Sequence, residues 1–189
     1  SYLEYTYTAD GNLNTTVVAD NAATTITLGY DEFGRKISMS DPDMGDWSYR
    51  YNAFGQLISQ TDAKNQTTTM AYDVLGRMVS RTDLANTANA KTSTWTYGDN
   101  NAPQGSIGKL IAESDGAISK SYYYDHLGRP EEVNTTINDG IIAKNFSTQT
   151  HYDSLGRVSR TLYPGSDHFY TENRYNDQGF LESVHGPRA

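Results

Sequence analysis

Tyrosine and aspartate are the residues of this chain best equipped for chemistry, and they arrive side by side. Tyr30-Asp31, Tyr72-Asp73, Tyr124-Asp125 and Tyr152-Asp153 are the adjacent pairs that share one setting. A ring can stack on the apolar face of a sugar while a carboxylate accepts its hydroxyls, so such pairs point toward glycan binding. Two denser aromatic stretches, WSYRY (Trp47 to Tyr51) and SYYYDH (Ser121 to His126), make Trp47, Tyr49, Tyr122 and Tyr123 the candidate glycan-binding residues. The competing reading is structural. Ligand sites usually occur once, whereas the tyrosines recur at matching positions, as the packing residues of stacked repeats do.

Other chemistry is thinner. Asp41, Asp43 and Asp46 in DPDMGD gather carboxylates of the kind a hard cation takes. Their spacing fits no EF-hand loop, and aspartate favours turns for local reasons, so no metal is assigned. His126, His151, His168 and His185 are scattered without metal-ligand spacing. His168 lies close to Ser166 and Asp167 in YPGSDHFY, but adjacency in sequence does not make a triad. Carboxylate pairs for glycoside hydrolysis cannot be singled out where aspartates recur at turns. With no cysteine, disulfides, thiolate zinc sites and cysteine nucleophiles are excluded. The chain reads as non-catalytic, with no cofactor and no metal.

The elements that position these residues are repeats. Tyr-x-x-x-Gly occurs at Tyr7–Gly11, Tyr30–Gly34, Tyr51–Gly55, Tyr72–Gly76, Tyr124–Gly128, Tyr152–Gly156 and Tyr175–Gly179. An expanded copy, YGDNNAPQGSIGKL, starts at Tyr97 and places its glycine at Gly108. Successive motif tyrosines lie 21 to 28 residues apart. A period in that range marks a repeat architecture. Ahead of the motif, aromatic or apolar residues fall at every second position, as in Trp47, Tyr49 and Tyr51 or Trp95 and Tyr97. A period of two places them on one face of a strand. After the glycine comes a second short strand such as QLISQT, and no segment shows a helical period.

Each motif is therefore a hairpin turn. In YDEFGR, Asp31 accepts a bond from a backbone N–H two residues on, Glu32 and Phe33 take right-handed positions, and Gly34 takes the left-handed one. The result is a three-residue loop closed by a glycine bulge. Asp31 and Arg35 flank it as an opposite-charge pair worth about 0.2–1 kcal/mol, repeated at Asp73/Arg77, Asp125/Arg129 and Asp153/Arg157. Asn52 and Asn176 stand in for the aspartate, Gln56 and Phe180 for the arginine, and YTADGNL keeps only tyrosine, glycine and leucine. A looser second turn begins at Asp41, Asp62, Asp83 and Asp115, seven residues after a motif glycine.

Composition agrees with thin sheets. The chain has 189 residues, with 15 tyrosines against 5 phenylalanines and 2 tryptophans. Tyrosine buries a ring while leaving its hydroxyl near water. The net charge of -8 leaves no basic stripe for phosphates and argues against nucleic acid and anionic membrane surfaces. No run approaches the ~20 apolar residues of a membrane span. The first residue is serine and the repeats begin almost at once, so the expectation is a piece of something longer. Sequons start at Asn14, Asn65, Asn134 and Asn145, but the cysteine-free composition favours a bacterial source, where they carry no glycan.

Repeated YDxxGR at this spacing resembles the YD repeat of the Rhs family, which includes bacterial polymorphic toxins, components of insecticidal Tc toxins and the teneurins. The resemblance runs from about Tyr5 to Leu181. It implies an all-β fold: tandem β-hairpins forming one long, curved, twisted antiparallel sheet, a partial spiral shell, with residues 1–189 a single array of about eight units. It also implies partners, namely the rest of a parent shell and the C-terminal toxin polypeptide that such shells enclose, and a secreted or cell-surface location. The self-cleavage segment of the toxin members has no counterpart here, and DPDMG at Asp41 sits in an ordinary turn. The expected function is structural, as a segment of a shell enclosing or supporting a toxin. The alternative is an extracellular module that recognises glycans or a partner protein through its Tyr-rich surface. Exposed strand edges further predict edge-mediated self-association.

Overall fold

A computed structural model describes residues 2–19, 21–165 and 169–187. Sixteen strands lie in one sheet in unbroken sequence order, and every register resolved between neighbours is antiparallel. The fold is thus all-β, as the alternating pattern predicts. Two compact units, Ser1–Thr92 and Ser93–Ala189, divide the chain.

The first unit holds β1 (Leu3–Tyr7), β2 (Leu13–Val18), β3 (Asn21–Tyr30), β4 (Lys36–Asp41), β5 (Gly45–Tyr51), β6 (Leu57–Thr61), β7 (Thr67–Tyr72) and β8 (Met78–Asp83). The second opens within β9 (Lys91–Tyr97) and continues with β10 (Leu110–Ser114), β11 (Ile118–Tyr124), β12 (Pro130–Asn138) and β13 (Ala143–Tyr152). It ends with β14 (Val158–Leu162), β15 (Tyr170–Tyr175) and β16 (Leu181–His185). One 3₁₀ turn, Gln104–Ser106, sits in the expanded copy.

Alternation decides the faces. In β5, Trp47, Tyr49 and Tyr51 are half-buried while Asp46, Ser48 and Arg50 are exposed. In β9, Ser93, Trp95 and Tyr97 take the half-buried face. Burial stops there. Ala19 alone is a buried apolar residue among those described, and Thr67 and Ser106 are the buried polar ones. Ordinary domains bury a sheet face against a second layer. Here no helix or second sheet covers either face of a unit among the described residues, so stability must come from strand pairing and side chains that lie along the sheet.

Candidate functional site

All eight motif glycines have φ between 73° and 87°. That left-handed conformation costs an L-residue roughly 1–2 kcal/mol, which is why glycine recurs there. At Asp31 the turn closes as the sequence predicts: Gly34 N donates to Asp31 O at 3.0 Å and Asp31 N to Arg35 O at 3.0 Å. Asp31 Oδ1 accepts the N–H groups of Phe33 (3.0 Å) and Arg35 (2.9 Å), and Oδ2 accepts Arg35 Nε at 2.7 Å. The register shifts by one residue between Gly29 and Tyr30, which is the expected bulge.

The same geometry recurs at Asp73, Asp125 and Asp153, with ion pairs of 2.6 to 2.7 Å to Arg77, Arg129 and Arg157. In Asp31, Asp73 and Asp125, partial burial pushes the carboxyl up. The following arginine's N–H and guanidinium and nearby turn N–H groups outweigh it, so the carboxyl lies below the ordinary value. In Asp153 the Arg157 N–H is the leading cause of the same lowering. The departures from consensus work by equivalent chemistry. Asn52 Oδ1 accepts the N–H groups of Phe54 and Gln56, and its amide donates to Gln56 Oε1 at 2.7 Å. Asn176 Oδ1 accepts Phe180 N, and Thr8 Oγ1 accepts Asn12 N.

A second set of contacts ties hairpins to their neighbours within each unit, and the sequence alone did not reveal it. The motif tyrosine hydroxyl donates to a carbonyl of the preceding repeat: Tyr51 to Lys36 O, Tyr72 to Leu57 O, Tyr124 to Leu110 O, Tyr152 to Pro130 O and Tyr175 to Val158 O. These bonds are 2.7 to 2.9 Å long, and the acceptor is always the second residue after the preceding motif glycine. The residue directly after the glycine reaches forward. The guanidinium of Arg35 stands 5.1 Å from the Tyr51 ring centre, that of Arg129 4.2 Å from Tyr152 and that of Arg157 4.1 Å from Tyr175. Arg35 Nη1 also donates to Asn52 O at 3.1 Å. Gln56 and Lys109 replace arginine and keep the forward contact, through Gly76 O and Gly128 O respectively.

The expanded copy keeps the frame. Gly98 N donates to Lys109 O and Gly108 N to Gly98 O, so residues 99–107 form an excursion from an intact turn. A Cβ on Gly105 would lie 1.9 Å from Asp125 O, so this glycine permits backbone to pack on the following turn.

The structure separates the four glycan candidates. Trp47 and Tyr49 stack with ring centres 6.4 Å apart and planes at 17°. Lys36 Nζ covers the Tyr49 ring at 4.4 Å. Tyr122 donates to Glu113 Oε1 at 2.8 Å, and Lys120 Nζ lies 3.1 Å from the same oxygen. Burial, with Glu113, pushes the Tyr122 hydroxyl up to about 12, while the Tyr122 hydroxyl and Lys120 lower Glu113. Tyr123 points to the opposite face and is exposed.

The remaining candidates have structural partners. Asp41 Oδ1 accepts the N–H groups of Asp43 and Met44, and no group of three or more metal-ligating side chains occurs among the described residues. Asp115 holds its turn in the same way as Asp41, while Asp62 Oδ1 accepts the N–H groups of Lys64 and Gln66. The turn expected at Asp83 follows the end of β8 there, and the Asp83 carboxylate accepts Thr68 Oγ1 and Arg81. The longer connection that follows turns through Leu84, at φ 53°, so local capping gives way to a cross-strand bond. His126 and His151 border one shallow groove with Asp125, Arg129 and Glu131, and His185 Nε2 lies 2.9 Å from Ser183 Oγ on exposed β16. Ser166, Asp167 and His168 lie outside the described residues.

A sheet of bulged Tyr-x-x-x-Gly hairpins, hooked to one another within each unit through tyrosine and a cationic or amide side chain, defines a YD-repeat fold. Residues 51–88 match the RHS Repeat family model. No curated protein matches the chain. Among solved structures, the chain aligns with TcdB2-TccC3 (TM-score 0.79) and TcdB2-TccC3-Cdc42 (TM-score 0.78), each at 13% identity over 98% of this chain and 10% of the other. It aligns equally with the Tc holotoxin pore of Photorhabdus luminescens (TM-score 0.76, 13% identity, 98% and 10% coverage). The chain spans about a tenth of the length of the solved chains it matches. These alignments identify the fold, and the repeat itself is recognised within 51–88.

Proposed function

We propose that this chain is a non-catalytic wall segment of a larger Rhs-type shell that encloses or supports a C-terminal toxin polypeptide. The observation that carries this reading is the hook between hairpins. The most regular side chains, Tyr152, Asp153 and Arg157 among them, spend their polar groups on their own turn or on a neighbouring repeat. A sheet joined in this way extends by adding repeats, and each repeat contributes the same contacts again. The uncovered faces also support it. Single-layer sheets leave large strand side chains such as Ile37, Tyr123 and Ile137 exposed, and exposed apolar surface supports contact with another body. The wall reading places the parent protein outside the producing cell and makes the cargo its main partner.

The test is protease protection of the complete parent protein. A tagged polypeptide following the repeats should survive protease concentrations that degrade the same polypeptide expressed alone. Equal rates of degradation would remove the enclosure reading and leave the repeats as an open surface.

A further inference from the structure

One position in the repeat is exposed, apolar and unused by the hook. It is the residue directly before the motif glycine, at the tip of each glycine-end turn. Six successive copies carry an apolar side chain there: Phe33, Phe54, Leu75, Ile107, Leu127 and Leu155. The first and last copies carry Asp10 and Gln178 instead. All six apolar residues are exposed.

The turn does not require them. In the first unit it uses only the backbone N–H of this residue, which Asp31 Oδ1, Asn52 Oδ1 and Asp73 Oδ1 accept from Phe33, Phe54 and Leu75 at 2.9 to 3.0 Å. A right-handed loop position suits most residue types, and Asp10 and Gln178 occupy the same place in their own copies. The apolar side chains reach little. Phe54 is 89% exposed and Leu75 72%, and Phe33, at 74%, meets the Arg35 guanidinium 5.0 Å from its ring centre. Apolar side chains scattered singly over a surface need no explanation, but one that recurs at a fixed place in a row marks a contact surface.

The geometry of the row in the first unit decides what fits it. Its turns close β3 on β4, β5 on β6 and β7 on β8, so successive tips stand two strands apart. That spacing is about 10 Å, and the row from Phe33 to Leu75 is roughly 19 Å long. A side chain entering midway between two tips would lie about 5 Å from the axis of each, close enough to pack on both. A partner that fills both gaps must repeat at the same interval, and this row is itself such a ladder. Charge does not oppose the pairing. Among the tip residues 32–33, 53–54 and 74–75 only Glu32 is charged, although the chain carries a net charge of -8. The aspartate-end turns of the same unit, by contrast, carry Asp43 and Lys64. With Val74, also exposed, the row offers four apolar side chains of roughly 150 Å² each, which with the turn backbone approaches the ~800 Å² per partner of a standard interface. We propose that two copies of this chain associate through these tips, the Phe33–Phe54–Leu75 row of each entering the gaps of the other about a two-fold axis. This surface is distinct from the strand edges at β1 and β16. The proposal is also independent of the enclosure reading, since either can fail while the other stands.

The experiment is sedimentation equilibrium of the chain from low to high micromolar concentration, at low and at moderate salt. A reversible monomer–dimer equilibrium with a micromolar dissociation constant is expected, tightening with salt because screening relieves the repulsion between two acidic chains. Each tip is met twice across the axis, so Phe54→Ser should weaken the dimer roughly tenfold or more, and Phe33→Ser/Phe54→Ser should abolish it over that concentration range. Phe180→Ser, exposed but outside the row, should leave it unchanged. Thermal melting checks that each variant folds, and the substituted side chains are too exposed for the sheet to depend on them. A strict monomer throughout would overturn the proposal, as would a dimer that Phe33→Ser/Phe54→Ser leaves intact. A dimer abolished instead by Tyr5→Lys on β1 or Val184→Lys on β16 would overturn it in favour of the strand edges. A chain that stays monomeric but binds phosphatidylcholine vesicles through Phe33 and Phe54 would overturn it in favour of a lipid surface.

Discussion

The two ends of the hairpins differ in how faithfully they repeat. At the glycine end, the turn after Tyr30 and the turn after Tyr152 share the same loop, the same carboxylate bonds and the same ion pair. At the other end three connections in the first unit differ: Asp62–Gln66 repeats the glycine-end bonds with Asn65 in the left-handed position, Asp41–Gly45 places Asp43 and Met44 N–H groups on Asp41, and Asp83 opens a longer turn while its carboxylate holds Thr68 and Arg81. The reason lies in the contacts. A glycine-end turn must present a carbonyl to the next tyrosine and a side chain to the next ring, so its geometry is constrained from two directions. An aspartate-end turn has only to reverse the chain. The constrained end holds the wall together, and the unconstrained end is where the sheet has room for a groove.

That contrast can be broken by substitution. The largest effect is expected at Gly105, where a methyl group would meet the Asp125 carbonyl. Gly105→Ala should destabilise the second unit by about 3 kcal/mol in thermal or denaturant melts, because backbone on both sides must move. Next comes a matched pair in the first unit. Asp31→Ala removes two turn bonds and the guanidinium partner and should lower the melting temperature more than Asp41→Ala, which removes two turn bonds only. Equal losses would show that the two ends do not differ in the way described.

Smaller changes sharpen the comparison. Tyr152→Phe deletes the hydroxyl bond to Pro130 O while keeping the ring under Arg129, and should cost about 1 kcal/mol. The charge at the glycine end should also show in pH dependence. Asp31, Asp73, Asp125 and Asp153 lie below their ordinary value of 3.8 in the folded chain. Their contribution is therefore complete above that value and is lost as pH falls from it through the folded pKa. Asp73→Asn keeps the acceptor oxygen and removes the titration, so its melting temperature should fall less steeply below pH 4 than that of the parent chain. The smallest effect is expected at the aspartate end, where Asn65 takes φ 59° without a glycine. Asn65→Gly should change stability by no more than about 0.5 kcal/mol, since asparagine tolerates that conformation.

Much of this architecture was legible before any coordinates. Gly34, Gly76 and Gly156 announced their turns because only glycine takes that backbone freely, and Asp31 with Arg35 announced the pair across the loop. Local chemistry of four or five residues is enough to specify such a turn. Asp83 marked the start of its turn in the same way, but the hydroxyl on the neighbouring strand that its carboxylate holds was not legible, since that partner lies on another strand. The grouping of Trp47 with Tyr49 was also correct in placing both on one face, while Tyr122 and Tyr123 fell on opposite faces, as adjacent residues of a strand must.

By itself, then, the sequence determined the repeating hairpin, its turn type, its strand faces and the absence of a thick core, because each depends on neighbours within one repeat. Only the tertiary structure decided which atoms join the repeats. The path from Tyr51 to Lys36 O, or from Gln56 to Gly76 O, depends on the stagger between strands paired across different hairpins. It likewise decided that Gln60, Gln66 and Trp47 border one groove. Pairing register is a property of two segments at once, and a slip of one residue would send every one of those side chains to the other face.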